Sequence, residues 1–128
     1  MARVFLVIAA AYGFVAVALG AFAAHGLQDR MEERALEVME IGVRYQMTHA
    51  LALLAVSLLL LREPSAWLTA SGWSFTVGVI FFSGALYLLA STGIGRFGAV
   101  APIGGILFLA GWVLLAIGGW TLMTIPEG

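Results

Sequence analysis

The chain has 128 residues, of which 62% are hydrophobic and only 10% are charged, and it contains no cysteine. Water-soluble domains usually carry about 25% charged residues, so this chain lacks the polar side chains needed to cover its own surface in water. The composition therefore predicts a membrane protein, and it excludes disulfide bonds and cysteine-ligated metals. The formal net charge of −1 gives no electrostatic basis for binding nucleic acid.

Four apolar stretches are long enough to cross a membrane, because about 20 helical residues span a hydrocarbon layer of roughly 30 Å. We predict an all-α fold in which residues 1–128 form one domain, a compact bundle of four transmembrane helices. The first stretch exceeds the roughly 7–15 apolar residues of a secretory signal, so we expect it to be a retained span. The predicted spans cover residues 4–24, 45–61, 67–92 and 102–123.

The segment between the first two spans carries most of the charge. Asp29 and Glu32 have the spacing of a helix capping box, and apolar residues then recur at steps of three and four along one face. We therefore predict an amphipathic helix over residues 28–44, either continuous with the second span or bent into it near Gly42. Its carboxylates are expected to form a solvated face that comprises Glu33, Glu37 and Glu40.

The arginines beside the spans set the expected orientation, because loops rich in basic residues tend to stay in the cytoplasm. The side opposite the charged segment holds Arg3 and Arg62. The first and third loops hold Arg30, Arg34, Arg44 and Arg96. This distribution predicts that both termini lie outside and that residues 25–45 face the cytoplasm.

Small residues repeat every seven positions in the first and last spans. Helices in lipid associate through close approach at small residues, and a period of seven favours left-handed crossings typical of bundles. We therefore expect the first and fourth spans to be the most tightly packed helices. The glycines with this spacing are Gly13, Gly20, Gly104, Gly111 and Gly118.

The candidate polar site lies where the second span is expected to enter the membrane. His25 ends the first span and His49 follows the predicted start of the second, so both imidazoles are expected at one membrane face. Tyr45 shares a helical face with His49, and Gln46 lies beside them. Two histidines without a third ligand are a weak signal for a metal or haem. The alternatives are a polar pocket for a ligand or proton and a hydrogen-bonded network that ties the charged segment to the bundle.

The sequence offers no set of residues typical of an enzyme. The serines within the spans lack a nucleophile motif with a neighbouring base, and the glycine-rich residues 93–98 lack the spacing of a dinucleotide-binding loop. The centres of the four spans contain no Asp, Glu, Lys or Arg, which argues against proton-coupled transport by a monomer. We therefore expect a non-enzymatic protein and predict no cofactor.

Four motifs resemble those of a known membrane-protein family. Residues 19–27 read LGAFAAHGL and resemble the family's LGAFGAHGL, and residues 45–51 read YQMTHAL and resemble its YQ..HALALL. Residues 82–87 are similar to its FSGSLY, and residues 102–112 to its PIGG…GW. The family is domain of unknown function 423, the small membrane proteins similar to YgdD and transmembrane protein 256. Two departures occur, since Ala23 stands where the family often has glycine and Ala101 where it often has threonine.

The resemblance implies a four-helix protein of the bacterial inner membrane and supplies no activity. It marks His25, Gln46 and His49 as motif positions. Three hypotheses follow. The first is a non-enzymatic protein with a polar pocket in which the two imidazoles lie within hydrogen-bonded or water-bridged reach. The second is a binder or carrier of a small molecule, lipid, ion or haem, and the third is an assembly partner that acts through the acidic helix face. The expected partners are the lipid bilayer and further copies of the chain.

Overall fold

The computed structural model describes residues 1–124 and 126, and the elements in that part of the chain are all helical. A π-helical turn joins α3 to α4, and a 3-10 turn precedes α5. In chain order the elements are α1 (Ala2–His25), α2 (Glu33–Arg62), α3 (Ala66–Val79), the π-helical turn (Ile80–Gly84), α4 (Ala85–Thr92), the 3-10 turn (Gly95–Ala99) and α5 (Ala101–Met123).

Four helical stretches are long and apolar enough to cross a membrane, with mean hydropathy between 1.4 and 2.4. They run over Ala2–His25, Glu33–Arg62, Ala66–Thr92 and Gly95–Met123. The predicted all-α membrane fold with four transmembrane helices is thus confirmed. Large apolar side chains cover the outside of the bundle, including Phe14 and Trp120, each 76% exposed, as a lipid-facing surface requires.

The second span begins twelve residues before its predicted start. It is one continuous helix of 30 residues with no interruption at Gly42, so the charged segment and the span form a single element. The predicted capping box does not form, because residues 26–31 make turns and bends, and the Glu32 side chain makes no cap bond to α2. At 1.5 Å per residue α2 is about 45 Å long, so its first turns extend beyond a hydrocarbon layer of roughly 30 Å.

The helices pack side by side, α1 against α2, α2 against α3 and α4, and α3 against α5. The first pair is antiparallel, since Ser57 near the end of α2 donates a hydrogen bond to the carbonyl of Ala2 at the start of α1. The apolar core lies between these helices, and its completely buried side chains are Phe5, Leu53, Val56, Leu68 and Phe75.

The glycines of the last span lie where α5 approaches the third span. A Cβ at Gly104 would lie 2.6 Å from the Cβ of Phe82 and 2.7 Å from its Cα. A Cβ at Gly111 would lie 2.6 Å from the ring of Phe75, and one at Gly118 would also contact α3. Side chains at these positions would hold the two helices apart, so the seven-residue spacing matches the α5 surface that faces the third span.

The first span packs differently from the prediction. A Cβ at Gly20 would lie 3.3 Å from Val43 of α2, but one at Gly13 would meet no atom of the described chain within 4 Å. Gly13 is therefore not a point of close helix approach, and that part of the prediction is wrong. The first and fourth spans pack against the second and third, respectively, and the buried small residues of α1 are Ala9, Ala16 and Ala23.

The π-helical turn interrupts the third span, which the sequence predicts as a single stretch over residues 67–92. In such a turn each hydrogen-bonded ring spans one residue more than in an α-helix. Ser83 within the turn is buried, and its hydroxyl donates a 2.6 Å hydrogen bond to the carbonyl of Gly42 in α2. The turn also carries Phe82, which meets α5 at Gly104. It therefore contacts both neighbouring helices.

Candidate functional site

Gln46 lies in the middle of α2 and connects three helices. The side chain is only 3% exposed. Its Nε2 donates a 2.8 Å hydrogen bond to the carbonyl of Tyr12 in α1, and its Oε1 accepts a 2.7 Å hydrogen bond from the hydroxyl of Tyr87 in α4. An amide buried in hydrocarbon requires such partners, so Gln46 holds α1 and α4 at fixed positions along α2.

Hydroxyl groups make similar connections elsewhere in the bundle. Tyr12 donates a 2.8 Å hydrogen bond to the carbonyl of Thr76, and Ser71 donates one of 2.7 Å to the carbonyl of Gly111. Across residues 1–124 and 126, no buried side-chain nitrogen or oxygen lacks a partner. Each such bond between membrane helices contributes only about 0.6 kcal/mol on average, but together they favour one register of the helices.

His49 lies inside the bundle and is 4% exposed. The indole Nε1 of Trp112 donates to its Nε2 at 3.1 Å, and its Nδ1 lies 2.7 Å from the carbonyl oxygen of Tyr45. An indole N–H only donates and a carbonyl only accepts. The Nε2 atom must therefore be unprotonated while Nδ1 carries the proton, and the neutral imidazole satisfies both partners.

Aromatic rings surround the His49 imidazole. Its ring stacks on Phe108 with a centroid distance of 3.6 Å and an interplanar angle of 7°, and Phe75 lies 5.5 Å away. Trp112 contacts the imidazole edge-on at 5.8 Å. Both ring nitrogens and one ring face are therefore occupied by the protein itself. This environment supports a role for His49 in joining α2 to α5.

His25 does not join this cluster. The bond from Gln46 to the Tyr12 carbonyl places His25, at the exposed end of α1, level with Glu33. From there to His49 is 16 residues of helix, or about 24 Å. The two imidazoles are therefore far apart along the bundle, contrary to the prediction that they approach each other. The cause is the early start of α2, which places His49 in mid-helix rather than at the membrane face.

The other predicted site residues lie together on α2. Tyr45 is 43% exposed, and its ring packs against Phe82 with a centroid distance of 4.7 Å. Gln46 and His49 point inward on the same stretch of helix. Three of the four predicted residues are thus neighbours, but Gln46 and His49 make protein contacts in place of lining an open polar pocket.

A cavity of about 790 Å³ lies near the end of the bundle where α1 ends, between the first loop, the start of α2 and the end of α4. We call it the interfacial pocket. Its charged lining residues are Arg30, Glu32 and Arg34. The remaining lining is mostly apolar and consists of Leu27, Met31, Ala35, Val38, Leu89, Ala90, Ser91 and Gly93.

The two arginines of the interfacial pocket are exposed to solvent. Neither guanidinium has a hydrogen-bonding or ion-pairing partner in the part of the chain that the structure describes. Gly93 closes the pocket at the end of α4 in a left-handed conformation with φ of 72°, which glycine adopts without strain. Sequence reasoning missed this pocket because it forms where the first loop meets α4, about 60 positions further along the chain.

A model of the family described as "Protein of unknown function (DUF423)" matches residues 19–105. This match covers more than half of the chain, from the second half of α1 to the start of α5. The chain belongs to the DUF423 family. The matched region contains every residue that lines the interfacial pocket, together with Gln46 and His49, whereas Trp112 lies beyond it.

Relatives in the DUF423 family match nearly the whole chain. A UPF0382 membrane protein of Haemophilus influenzae is 46% identical over 94% of this chain and 96% of its own length. The UPF0382 membrane protein SSP2132 of Staphylococcus saprophyticus is 43% identical over 91% of this chain and 96% of its own. The UPF0382 inner membrane protein YgdD of Escherichia coli is 40% identical over 91% of this chain and 88% of its own.

These names and the four apolar helices establish an integral, multi-pass membrane protein. No solved structure matches the chain. The resemblance to domain of unknown function 423 predicted from the motifs is therefore confirmed.

Proposed function

We propose that this chain is a non-enzymatic, lipid-binding protein of the bacterial inner membrane, which holds a phosphate-bearing lipid in the interfacial pocket. The observation that carries the proposal is the pairing of Arg30 and Arg34 with apolar walls in one cavity. Guanidinium groups bind phosphate oxygens through paired N–H donors. The apolar walls suit the glycerol backbone and the first carbons of the acyl chains.

The level of the pocket supports a lipid over a soluble ligand. Because α2 is about 45 Å long, Arg34 in its first turn lies at the level expected for headgroups. Val38 and Leu89 line the pocket further towards the hydrocarbon layer. Polar recognition at one end and apolar contact at the other match the two ends of a phospholipid. The volume of about 790 Å³ falls within the roughly 300–1,000 Å³ of typical small-molecule sites.

The central polar residues have a supporting role in this proposal. Gln46 and His49 have their hydrogen-bonding groups engaged by neighbouring helices. They hold α2 against α1, α4 and α5, and α2 in turn carries Arg34 at its first turn. The histidine-centred pocket predicted from the sequence is thereby replaced, as the proposed ligand site, by the interfacial pocket.

The arginine distribution supports one leaflet for the proposed lipid. The pocket lies on the side that holds Arg30, Arg34 and Arg96, while Arg3 and Arg62 lie on the other. Arg44, which was predicted to lie in the first loop, is instead part of α2. Since basic loops tend to stay in the cytoplasm, the proposed ligand is a lipid of the cytoplasmic leaflet.

The experiment measures lipid retention by native mass spectrometry of protein released from nanodiscs. The nanodiscs contain phosphatidylglycerol and a diacylglycerol with the same acyl chains but no phosphate. We expect the native protein to retain phosphatidylglycerol preferentially and the double variant R30Q/R34Q to lose that preference. The matched control is R96Q, which removes an exposed arginine on the same side that does not line the pocket. The same spectra report whether the chain forms the predicted homo-oligomer.

Three outcomes would count against the proposal. The first is a double variant that retains phosphatidylglycerol like the native protein. The second is an equal loss in R96Q, which would indicate general attraction between the basic face and anionic lipid. In a third arm, soluble glycerophosphate competes for the pocket, and full displacement at equimolar concentration would identify a site for a soluble phosphoester instead of a lipid.

A further inference from the structure

The interfacial pocket contains a carboxylate beside its two guanidinium groups. Glu32 lines the cavity together with Arg30 and Arg34. It lies just before α2 in an extended conformation, with φ of −63° and ψ of 149°, and its side chain makes no cap bond to the helix. Like the arginines, its carboxylate has no ion-pairing partner among the residues that the structure describes.

The local geometry explains why Glu32 does not neutralise Arg34. The two residues are separated by two positions at the start of a helix, and side chains at that spacing do not face each other. A carboxylate close to a bound phosphate would oppose binding unless a cation lies between them. Glu32 is exposed, and a ligand that carries a cation beside its phosphate would give this carboxylate a partner of opposite charge within the pocket.

We propose that the interfacial pocket selects a phospholipid whose headgroup carries a primary ammonium, the phosphoethanolamine type. This inference rests on the lipid-binding function proposed above and adds the headgroup class. The phosphate is bound by Arg30 and Arg34, and the ammonium donates its N–H groups to the carboxylate of Glu32. Each charge of the headgroup then meets an opposite charge of the protein, as hydrogen bonds between ionised groups favour.

The same lining disfavours two other common headgroups. A phosphocholine group has a quaternary ammonium without N–H donors, and such groups are typically held by aromatic side chains. The described lining of the pocket includes no aromatic residue. A phosphoglycerol group has no cation at all and leaves the Glu32 carboxylate unpaired near the phosphate. The pocket therefore favours the primary ammonium over both.

The test uses the full chain in nanodiscs that hold equal amounts of phosphatidylethanolamine, phosphatidylglycerol and phosphatidylcholine with identical acyl chains. Native mass spectrometry then gives the proportion of each lipid retained. We expect the native protein to prefer phosphatidylethanolamine by about tenfold, the scale of one hydrogen bond between charged groups. E32Q is expected to abolish that preference while phosphatidylglycerol is still retained. The matched control E33Q removes the next carboxylate, which is exposed and does not line the pocket, and should keep the preference.

The outcomes separate this inference from the proposed function. If the native protein retains phosphatidylethanolamine and phosphatidylglycerol equally and R30Q/R34Q loses both, the pocket binds lipid phosphate and the role of Glu32 is refuted. If E32Q and E33Q lose the preference alike, it reflects the overall charge of this face, and the inference also fails. If the native protein retains none of the three lipids, all of which carry a phosphate, the proposed function itself fails. Far-ultraviolet circular dichroism of each variant verifies that the helices are intact.

Discussion

Replacing Gly104 with alanine is expected to push α5 away from the third span. The new methyl carbon would lie 2.6 Å from the Cβ of Phe82 and 2.7 Å from its Cα, whereas carbon atoms in contact are about 3.5–4.0 Å apart. Rotation of the Phe82 side chain cannot remove this overlap, because rotation about the Cα–Cβ bond moves neither the Cα nor the Cβ atom. The helices must therefore separate locally by about 1 Å.

The adjacent glycine supplies a matched control. A Cβ at Gly105 would meet no atom of the described chain within 4 Å, and both G104A and G105A gain about 1 kcal/mol of helix propensity. This gain cancels when the two variants are compared. Overpacking usually costs about 1–3 kcal/mol, and rigid neighbours favour the upper part of that range. We expect the free energy of unfolding of G104A to be about 2–3 kcal/mol below that of G105A.

The comparison can be made by reversible unfolding in mixed micelles, with helix content followed by circular dichroism. The Ser71 bond to the Gly111 carbonyl lies on the same interface, so its loosening would add to the effect. Equal stability of G104A and G105A would refute the close approach of α5 to the π-helical turn, and with it the packing described for the last two spans.

Two further predictions concern the buried hydrogen bonds. Gln46→Leu removes hydrogen bonds to two helices and is expected to lower the free energy of unfolding by about 1–2 kcal/mol. Tyr87→Phe removes only one of these bonds and is expected to cost less. Equal losses in the same unfolding assay would contradict the bridging role of Gln46. His49→Phe leaves the indole N–H of Trp112 without its acceptor and should shift the emission of that tryptophan. The emission of Trp112 is obtained by subtracting the spectrum of the Trp112→Phe variant, once with His49 present and once with the His49→Phe substitution. An unchanged difference spectrum would show that the indole does not donate to His49.

The number of spans could be predicted from the sequence, but the start of α2 could not. A hydrocarbon layer demands about 20 consecutive apolar residues per helix, and that demand is visible in composition alone. No such demand acts on Glu33 to Arg44, which precede the strictly apolar part of the helix. Charged residues can form a helix in the headgroup layer as readily as a loop, so hydropathy does not show where α2 begins.

The candidate site was predictable only in part for the same reason. Gln46 and His49 were identified from the sequence as polar residues within a motif, and the structure gives both of them buried partners. The partner of His49 is Trp112, 63 positions away, a pairing that no local pattern specifies. His25 would lie beside them only if α2 began near Tyr45, level with the end of α1, whereas α2 begins at Glu33.

The π-helical turn has a consequence for the phase of the third span. Phe75, Val79, Ser83 and Tyr87 are spaced by four, and all four contact neighbouring helices or the core. Over those twelve residues a regular helix, which turns about 100° per residue, would carry Tyr87 some 120° away from the direction of Phe75. One extra residue in a wide turn removes about 100° of that drift. The π-helical turn therefore allows α3 and α4, whose contact residues repeat every four positions, to direct those residues to the same side of the third span.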